Sequence, residues 1–228
     1  MKPLVIIPAR GGSKGLPKKN IKKLNGIPLI NWTINTAREL FDDKYICIST
    51  DSIEIKKNCE NLGLKVPFLR PEELSTDEAT TYDVLLHALE FYESINYIPD
   101  TLILLQPTSP FRNSMHLKQA ISLYTESIQM LVSVKETKSN PYYTLFEEDE
   151  NGFLIKSKNG NYQRRQDLPK VFEYNGAIFI INIEELKKSK INEFKKIRKF
   201  EMDELSSQDI DSPFDFMICE EIIKRNLI

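Results

Sequence analysis

The sequence is poor in the residues from which disulfide frameworks and protein metal centres are built. It has three cysteines and two histidines, and Cys47, Cys59 and Cys219 are scattered without the spacing of metal ligands. This usage is typical of reduced thiols and predicts a cytoplasmic protein. His87 lies among apolar residues of a predicted helix, so we interpret it as a core or boundary residue.

Long apolar runs and an excess of one charge are also missing. No apolar run approaches the roughly 18 residues that a membrane span requires, and the N-terminus lacks the apolar core of a signal peptide. The formal net charge is −2, without the basic excess of a nucleic-acid binder. We find no internal repeat or low-complexity tail. We therefore expect a single soluble α/β domain with neither nucleic acid nor membrane among its partners.

Basic residues are nevertheless concentrated in a glycine loop near the N-terminus. Four apolar residues at 4–7, bounded by prolines, predict a buried parallel strand. The loop after it combines glycines with cations: Gly11, Gly12, Gly15, Arg10, Lys14, Lys18 and Lys19. Glycine permits close backbone approach, so amide N–H groups can point at an anion while the cations balance its charge. The loop follows a strand, where open α/β folds bind ligands.

The known nucleotide motifs do not describe this loop. Neither GxxxxGK[ST] nor the dinucleotide fingerprint GxGxxG occurs in it. An ordinary surface loop that is basic for solubility is the alternative reading. The composition favours a phosphate cradle of another kind.

Polar side chains also follow two further predicted strands. Asp51 comes after a strand over 45–49 and is either a functional carboxylate or the N-cap of a helix predicted over 53–62. Gln106 comes after a strand over 101–105, where its amide can both donate to and accept from a ligand. The prolines that follow Gln106 are also compatible with a rigid turn that binds nothing.

The remaining pattern alternates helices with strands and contains one excursion. Helices are predicted over 29–40, 82–95, 115–126 and 214–225, and strands over 65–68, 130–134 and 177–182. Residues 140–158 carry aromatic and aliphatic side chains around Asn151-Gly152, which predicts a β-hairpin. Exposed apolar residues on such a hairpin indicate an oligomer interface.

Asp209 and Asp211 form the one carboxylate pair that suggests a cation site. If this segment is extended, alternation sends both side chains to one face, where they can hold a divalent cation with phosphate oxygens completing the shell. The alternative is that Asp211-Ser212-Pro213 caps the terminal helix. The two roles are compatible.

The chain resembles the N-acylneuraminate cytidylyltransferases, or CMP-sialic acid synthetases, a family that includes the CMP-legionaminic acid synthetases. The resemblance lies in five segments that keep the family's order. They are Ile7-Pro-Ala-Arg-Gly-Gly-Ser-Lys-Gly-Leu-Pro-Lys-Lys-Asn20, Arg70-Pro-Glu-Glu-Leu-Ser-Thr-Asp-Glu-Ala-Thr-Thr81, Leu104-Leu-Gln-Pro-Thr-Ser-Pro-Phe-Arg112, Arg165-Gln-Asp-Leu-Pro169 with Asn175-Gly-Ala-Ile178, and Asp209-Ile-Asp211.

This resemblance implies a fold and a reaction. The implied fold is a Rossmann-like three-layer α/β sandwich with a mainly parallel sheet, formed by residues 1–228 as one domain. A small hairpin excursion near 138–172 would pack across a homodimer, and Asn175-Gly176 would form the turn into a strand. The implied reaction transfers CMP from CTP to the anomeric hydroxyl of a nine-carbon sugar acid and releases pyrophosphate.

The resemblance also implies the site residues. The predicted catalytic residues are Arg10, Lys14, Lys19, Gln106 and Arg165. The predicted substrate-binding residues are Ala9, Gly11, Ser13, Asn20, Arg70, Thr81, Gln106, Arg165 and Gln166. Asp209 and Asp211 are the predicted ligands of Mg²⁺, with Mn²⁺ as an alternative. No residue is identified as a dedicated general base.

Three alternatives stay open at this point. The acceptor can be a pseudaminic or 3-deoxy-octulosonic type of acid. A uridylyl or guanylyl transferase would share the glycine loop but lack the Gln-Pro-Thr-Ser-Pro and Arg-Gln-x-Leu-Pro segments. A non-catalytic nucleotide-binding module would need the loop without Asp209 and Asp211.

Overall fold

A computed structural model describes the whole chain, Met1–Ile228. Its strands are β1 (Pro3–Pro8), β2 (Lys23–Leu24), β3 (Ile27–Pro28), β4 (Ile46–Ser49), β5 (Thr101–Leu104), β6 (Met130–Glu136), β7 (Phe146–Glu148), β8 (Leu154–Lys156), β9 (Phe172–Asn182) and β10 (Ile197–Glu201). Its α-helices are α1 (Leu29–Arg38), α2 (Ile53–Asn61), α3 (Thr81–Ser94), α4 (Ser114–Leu123), α5 (Ile183–Lys188) and α6 (Pro213–Lys224). No helix combines the length and apolar character needed to cross a bilayer.

The main sheet has six strands in the order β10-β6-β9-β5-β1-β4. Only β9 is antiparallel to its neighbours, so the sheet is mainly parallel, as predicted. The parallel strands β1, β4, β5 and β10 therefore end at the same edge. The glycine loop, Asp51, Gln106 and the segment that leads to Asp209 all leave the sheet at this edge.

Side-chain alternation along β1 divides the core between the two faces of the sheet. Val5 and Ile7 pack with α1, α2 and α4, whereas Leu4 and Ile6 pack with α3 and α5. Helices on both faces of one sheet form the three-layer α/β sandwich that the resemblance implied.

A third apolar cluster joins the glycine loop to the C-terminal segment. Leu16 of the loop packs with Ile210 and with Phe216 of α6. Gly15 precedes Leu16, the Lys19 amide donates to the Leu16 carbonyl, and the two aspartates flank Ile210. Burial of Leu16 and Ile210 therefore holds these polar residues beside one another.

A β-hairpin is present where it was predicted. Strands β7 and β8 pair antiparallel, and Gly152 closes the turn with a φ of 82°. Every strand residue of this hairpin is exposed, including Phe146, Leu154 and Ile155. The hairpin thus presents apolar side chains on both of its strands to the outside of the chain.

Two strand predictions are wrong and one strand was not predicted, each for a different reason. Residues 65–68 form no strand because Pro67 lacks the N–H that a ladder needs; Val66 still packs in the core, and the backbone hydrogen bond to β4 comes from the Arg70 amide to the carbonyl that follows β4, that of Thr50. β9 begins at Phe172, so Asn175-Gly176 is a bulge inside the strand and not a turn before it. β10 was not predicted, since its charged residues hide the apolar pattern.

Candidate active site

A cavity of about 500 Å³ lies at the carboxyl edge of the sheet. It is lined by Arg10, Lys14 and Lys19 of the glycine loop, by Gln106 after β5, and by Asp209 and Asp211 before α6. Ser13 and Asn20 also line it. The structure therefore brings together most of the predicted triphosphate, sugar and metal residues around a single cavity.

Two side chains shape the backbone of the glycine loop. Asp51 accepts a hydrogen bond from the Gly11 amide at 2.8 Å, and the buried Asn20 amide donates to the Arg10 carbonyl at 3.0 Å. The N-cap of α2 is Ser52, whose hydroxyl accepts from the Ile55 amide, so the reading of Asp51 as the cap is wrong. Asp51 instead joins the end of β4 to the loop.

The loop is also tied to the aspartate segment. Lys19 Nζ donates to the Ile210 carbonyl at 2.7 Å and to Asp211 Oδ1 at 2.9 Å. Gly15 lies so close that a Cβ added to it would stand 2.2 Å from the Asp211 carbonyl oxygen. Glycine at this position is therefore a requirement of the approach between the two segments.

Asp209 has the properties expected of a cation ligand. Its Oδ1 is buried without a hydrogen-bond partner, and burial raises the pKa of its carboxyl group against the opposing effects of Thr108 and Lys19. The cap of α6 is Ser212, in a capping box with Asp215, so the exposed Asp211 carboxylate is not used as the cap, although one of its oxygens pairs with Lys19. No group of three or more acidic, histidine or cysteine side chains forms a complete metal cage.

A buried arginine fixes the floor of the cavity. Arg112 is only 2% exposed and donates to the carbonyls of Gln106 at 3.1 Å and Ala177 at 3.0 Å, and to Thr33 Oγ1 at 2.7 Å. Burial without an acidic partner lowers the pKa of Arg112 to about 9. This one side chain joins α1, the end of β5 and β9 beneath the cavity.

Gln106 lies directly over the bulge in β9. Gly176 has a φ of 73°, and a Cβ on it would stand 2.7 Å from Gln106 Oε1. A larger residue would therefore both strain the backbone and push the amide away. Arg112 and Gly176 together hold Gln106 at the cavity, and its contact with a ligand stays a prediction.

A second, smaller cavity of about 330 Å³ shares Arg10 and Asn20 with the first and is also lined by Asp51. Arg70 is 6% exposed, and one of its terminal nitrogens lies 3.6 Å from Asp51 Oδ1. That nitrogen and Nε have no hydrogen-bond partner, and burial lowers the pKa of Arg70 against the attraction of Asp51. Buried, unpaired guanidinium donors of this kind suit a ligand acceptor.

Five predicted residues line neither cavity: Arg70, which is buried behind Asp51, and Ala9, Thr81, Arg165 and Gln166. Ala9 is buried with its amide bonded to Ser49, and Thr81 is exposed in the first turn of α3. Arg165 and Gln166 are exposed on the excursion, where Arg165 lines a separate cavity of about 460 Å³ with Asn140 and Lys170. The excursion leaves the sheet after β6 and returns at β9, which separates these side chains from the glycine loop. Their roles stay predictions.

Two residues beside the cavity were missed by the sequence reasoning. Arg112 stands in the segment quoted for Gln106, but nothing local reveals that its charge is buried against carbonyl groups. Asp77 lies in the polar segment after Arg70 and contacts both Arg10 and Lys14. Asp77 is more than 60 residues away from Arg10 and Lys14 in the sequence. Its contacts with them could therefore not be predicted without the fold.

Known proteins resemble this chain over almost its full length. A family model described as cytidylyltransferase matches residues 4–223. An N-acylneuraminate cytidylyltransferase of Streptococcus agalactiae serotype V is 40% identical over 222 residues, which are 95% of this chain and 52% of that protein. A CMP-N,N'-diacetyllegionaminic acid synthase of Campylobacter jejuni is 36% identical over 227 residues, or 98% of this chain and 96% of that protein.

The structural comparison agrees at the level of the fold. A CMP:2-keto-3-deoxy-manno-octonic acid synthetase solved in complex with CTP superposes with a TM-score of 0.72 at 16% identity, covering 99% of this chain and 100% of that one. The chain spans about half the length of the streptococcal relatives, at 52%, and nearly all of the Campylobacter synthase, at 96%. On the match over residues 4–223 and these identities, the chain belongs to the cytidylyltransferase family.

Proposed function

We propose that this protein transfers CMP from CTP to the anomeric hydroxyl of a nine-carbon sugar acid and releases pyrophosphate. The observation that carries the proposal is the single cavity shared by the three loop cations, Gln106 and the two aspartates. The names of the relatives support sialic or legionaminic acid as the acceptor, the legionaminic acid synthase being the one matched over nearly its full length. The three cysteines are free and buried, which supports a location in the reducing cytoplasm.

The chain's contribution to the reaction is positioning and charge neutralisation. Amides of the glycine loop with Arg10, Lys14 and Lys19 bind the triphosphate and balance the charge that develops on the leaving pyrophosphate. The anomeric oxygen forms a bond to the α-phosphorus as the bond to the β-phosphate oxygen breaks in line. The hydroxyl proton is released to solvent, and no lining residue is assigned as a dedicated general base, because the two aspartates of the cavity are assigned to the metal.

Asp209 and Asp211 would hold Mg²⁺, or Mn²⁺ in its place. The buried Oδ1 of Asp209 without a partner supports this assignment, and phosphate oxygens and water would supply the other ligands. When bound, the ion would neutralise phosphate charge and polarise the α-phosphoryl group. Lys19 keeps Asp211 beside the loop that binds the same phosphates.

Base and sugar recognition fall to residues around the two cavities. Two buried nitrogens of Arg70 have no hydrogen-bond partner and suit a carbonyl oxygen of cytosine, and Asn20, which lines both cavities, contacts the nucleoside in this proposal. Gln106 reads hydroxyl or acylamino groups of the sugar. Arg165, which forms no ion pair while Arg164 pairs with Asp167, is our candidate for the sugar carboxylate.

We further propose that the hairpin packs across a homodimer. Phe153 is 69% exposed and Leu154 70% exposed in the single chain, the two highest values among its large apolar side chains, and Phe146 and Ile155 are exposed on the same hairpin. The double substitution Phe153→Asp with Leu154→Lys should therefore convert the dimer to a monomer by sedimentation equilibrium. Phe214→Asp, which changes a residue 64% exposed on α6, is the matched control and should leave the dimer intact. A wild-type protein that is already monomeric at micromolar concentration would contradict the proposal.

Pyrophosphate release tests the proposed reaction. The protein would be supplied with CTP, Mg²⁺ and a panel of sialic, legionaminic, pseudaminic and 3-deoxy-octulosonic acids, with UTP, GTP and ATP as controls. We expect release only with CTP and only with nine-carbon acids, and the most active acid names the acceptor. Release with UTP or GTP at the same rate would contradict the assignment of the base.

A further inference from the structure

A single carboxylate joins two of the cations proposed to bind the triphosphate. Asp77 Oδ1 accepts from a terminal nitrogen of Arg10 at 2.9 Å, and Asp77 Oδ2 lies 2.6 Å from Lys14 Nζ. The same Arg10 nitrogen approaches the Thr76 carbonyl at 3.5 Å. Asp77 thus uses both of its oxygens on cations that line the cavity, and it does not line the cavity itself.

The Asp77 carboxylate occupies the donors of Arg10 and Lys14 in the way that the oxygens of a phosphate group would. A carboxylate offers two anionic oxygens to a guanidinium and an ammonium group, and phosphate oxygens seek the same donors. Lys14 and then Arg10 hold the pKa of the Asp77 carboxyl below its usual range, so the group is charged at neutral pH. A bound triphosphate and an ionised Asp77 would place like charges on the same two donors, which is unfavourable.

The segment that carries Asp77 can give up this contact without unfolding a helix. Its beginning is held by the Arg70 amide on the Thr50 carbonyl at 2.8 Å, and its end by the capping box of Thr80 and Asp83 at the start of α3. Between these anchors, the hydrogen bonds of residues 71–79 are local except those to Arg10 and Lys14.

We propose that Asp77 takes the place of a phosphate group in the free protein and is displaced when the triphosphate binds. Asp77 then sets the affinity of the site for polyphosphate: it competes with CTP on entry and returns to Arg10 and Lys14 as pyrophosphate leaves. This inference rests on the proposed nucleotide site and adds a residue that tunes it.

Binding of inorganic tripolyphosphate, measured by titration calorimetry, tests the inference without requiring turnover. Asp77→Asn removes two exposed ion pairs that the ligand would otherwise have to break. Because each exposed pair contributes only modestly, we expect the affinities for tripolyphosphate and CTP to rise about three- to tenfold. Cytidine, which has no phosphate, should bind the variant and the wild type equally. Glu78→Gln removes the same charge from the next residue, which forms no ion pair, and should leave the tripolyphosphate affinity unchanged within about twofold.

The outcomes separate this inference from the proposed reaction. Tighter tripolyphosphate binding by Asp77→Asn alone supports it, even if no sugar acid is turned over. Equal or weaker binding would overturn it and would mean that Asp77 preorganises the cations. Equal tightening by Glu78→Gln would also overturn it, because the effect would then be general charge. Failure of both the wild type and Asp77→Asn to bind tripolyphosphate would overturn it as well.

Discussion

Asp209→Asn is expected to lower the rate of pyrophosphate release by at least about a hundredfold, because charge stabilisation worth several kcal/mol in the transition state is lost. Asparagine keeps the shape of the side chain but removes the negative charge from the buried oxygen that has no partner. CTP affinity should change by less than about tenfold, since the loop amides and cations still hold the phosphates. A discontinuous pyrophosphate assay measures the rate, and titration calorimetry measures the CTP affinity.

A matched control separates loss of the metal site from loss of negative charge near it. Glu204→Gln changes an exposed carboxylate that pairs with Lys138 and lies outside the cavity. We expect its turnover to equal that of the wild type. If Asp209→Asn were to turn over within about threefold of wild type, which is under 1 kcal/mol of barrier, the assignment of Asp209 as a metal ligand would be wrong.

Gly15→Ala is the second change for which we expect a large effect. The added Cβ would stand 2.2 Å from the Asp211 carbonyl oxygen and 3.3 Å from its carbonyl carbon, so the loop or the aspartate segment must move. A displacement of about 1 Å at a catalytic centre costs on the order of a hundredfold in rate. Overpacking of this kind also lowers the free energy of unfolding by about 1–3 kcal/mol.

Gly12→Ala is the control for Gly15→Ala in the same loop. A Cβ on Gly12 would meet no atom within 4 Å, and its φ is not in the left-handed region. We expect near wild-type turnover and an unchanged melting temperature for Gly12→Ala. Equal loss of activity in both variants would mean that the loop needs glycine for its backbone freedom and not for its approach to Asp211.

Local sequence signals were sufficient for the elements that build the cavity. The apolar run of β1, the glycines after it and the prolines after Gln106 act within a few residues, and helices α1 to α4 and α6 occur where they were predicted. The resemblance of the five segments to the family implied that Asp209 and Asp211 lie beside the glycine loop. The structure adds the reason, which is the burial of Leu16 against Ile210.

The features that were missed depend on contacts between distant parts of the chain. Arg112 is buried because carbonyls from β5 and β9 and a hydroxyl from α1 converge on it, and no single segment carries that pattern. Asp77 reads as an ordinary loop residue until the fold places it between Arg10 and Lys14. Pro67 is the exception, because its missing N–H is a local signal against a strand that the sequence itself carries.

Phosphorus-31 NMR of the protein with CTP, Mg²⁺ and the most active sugar acid tests the central claim most directly, because it reports which phosphate bond breaks and where the CMP group goes. We predict that the three CTP resonances are replaced by one phosphodiester resonance and one pyrophosphate resonance with intensities of one to two, since each pyrophosphate carries two equivalent phosphorus atoms. Free CMP with pyrophosphate would mean hydrolysis without transfer, and CDP with orthophosphate would mean cleavage at the wrong bond. Either result would contradict cytidylyl transfer at this site.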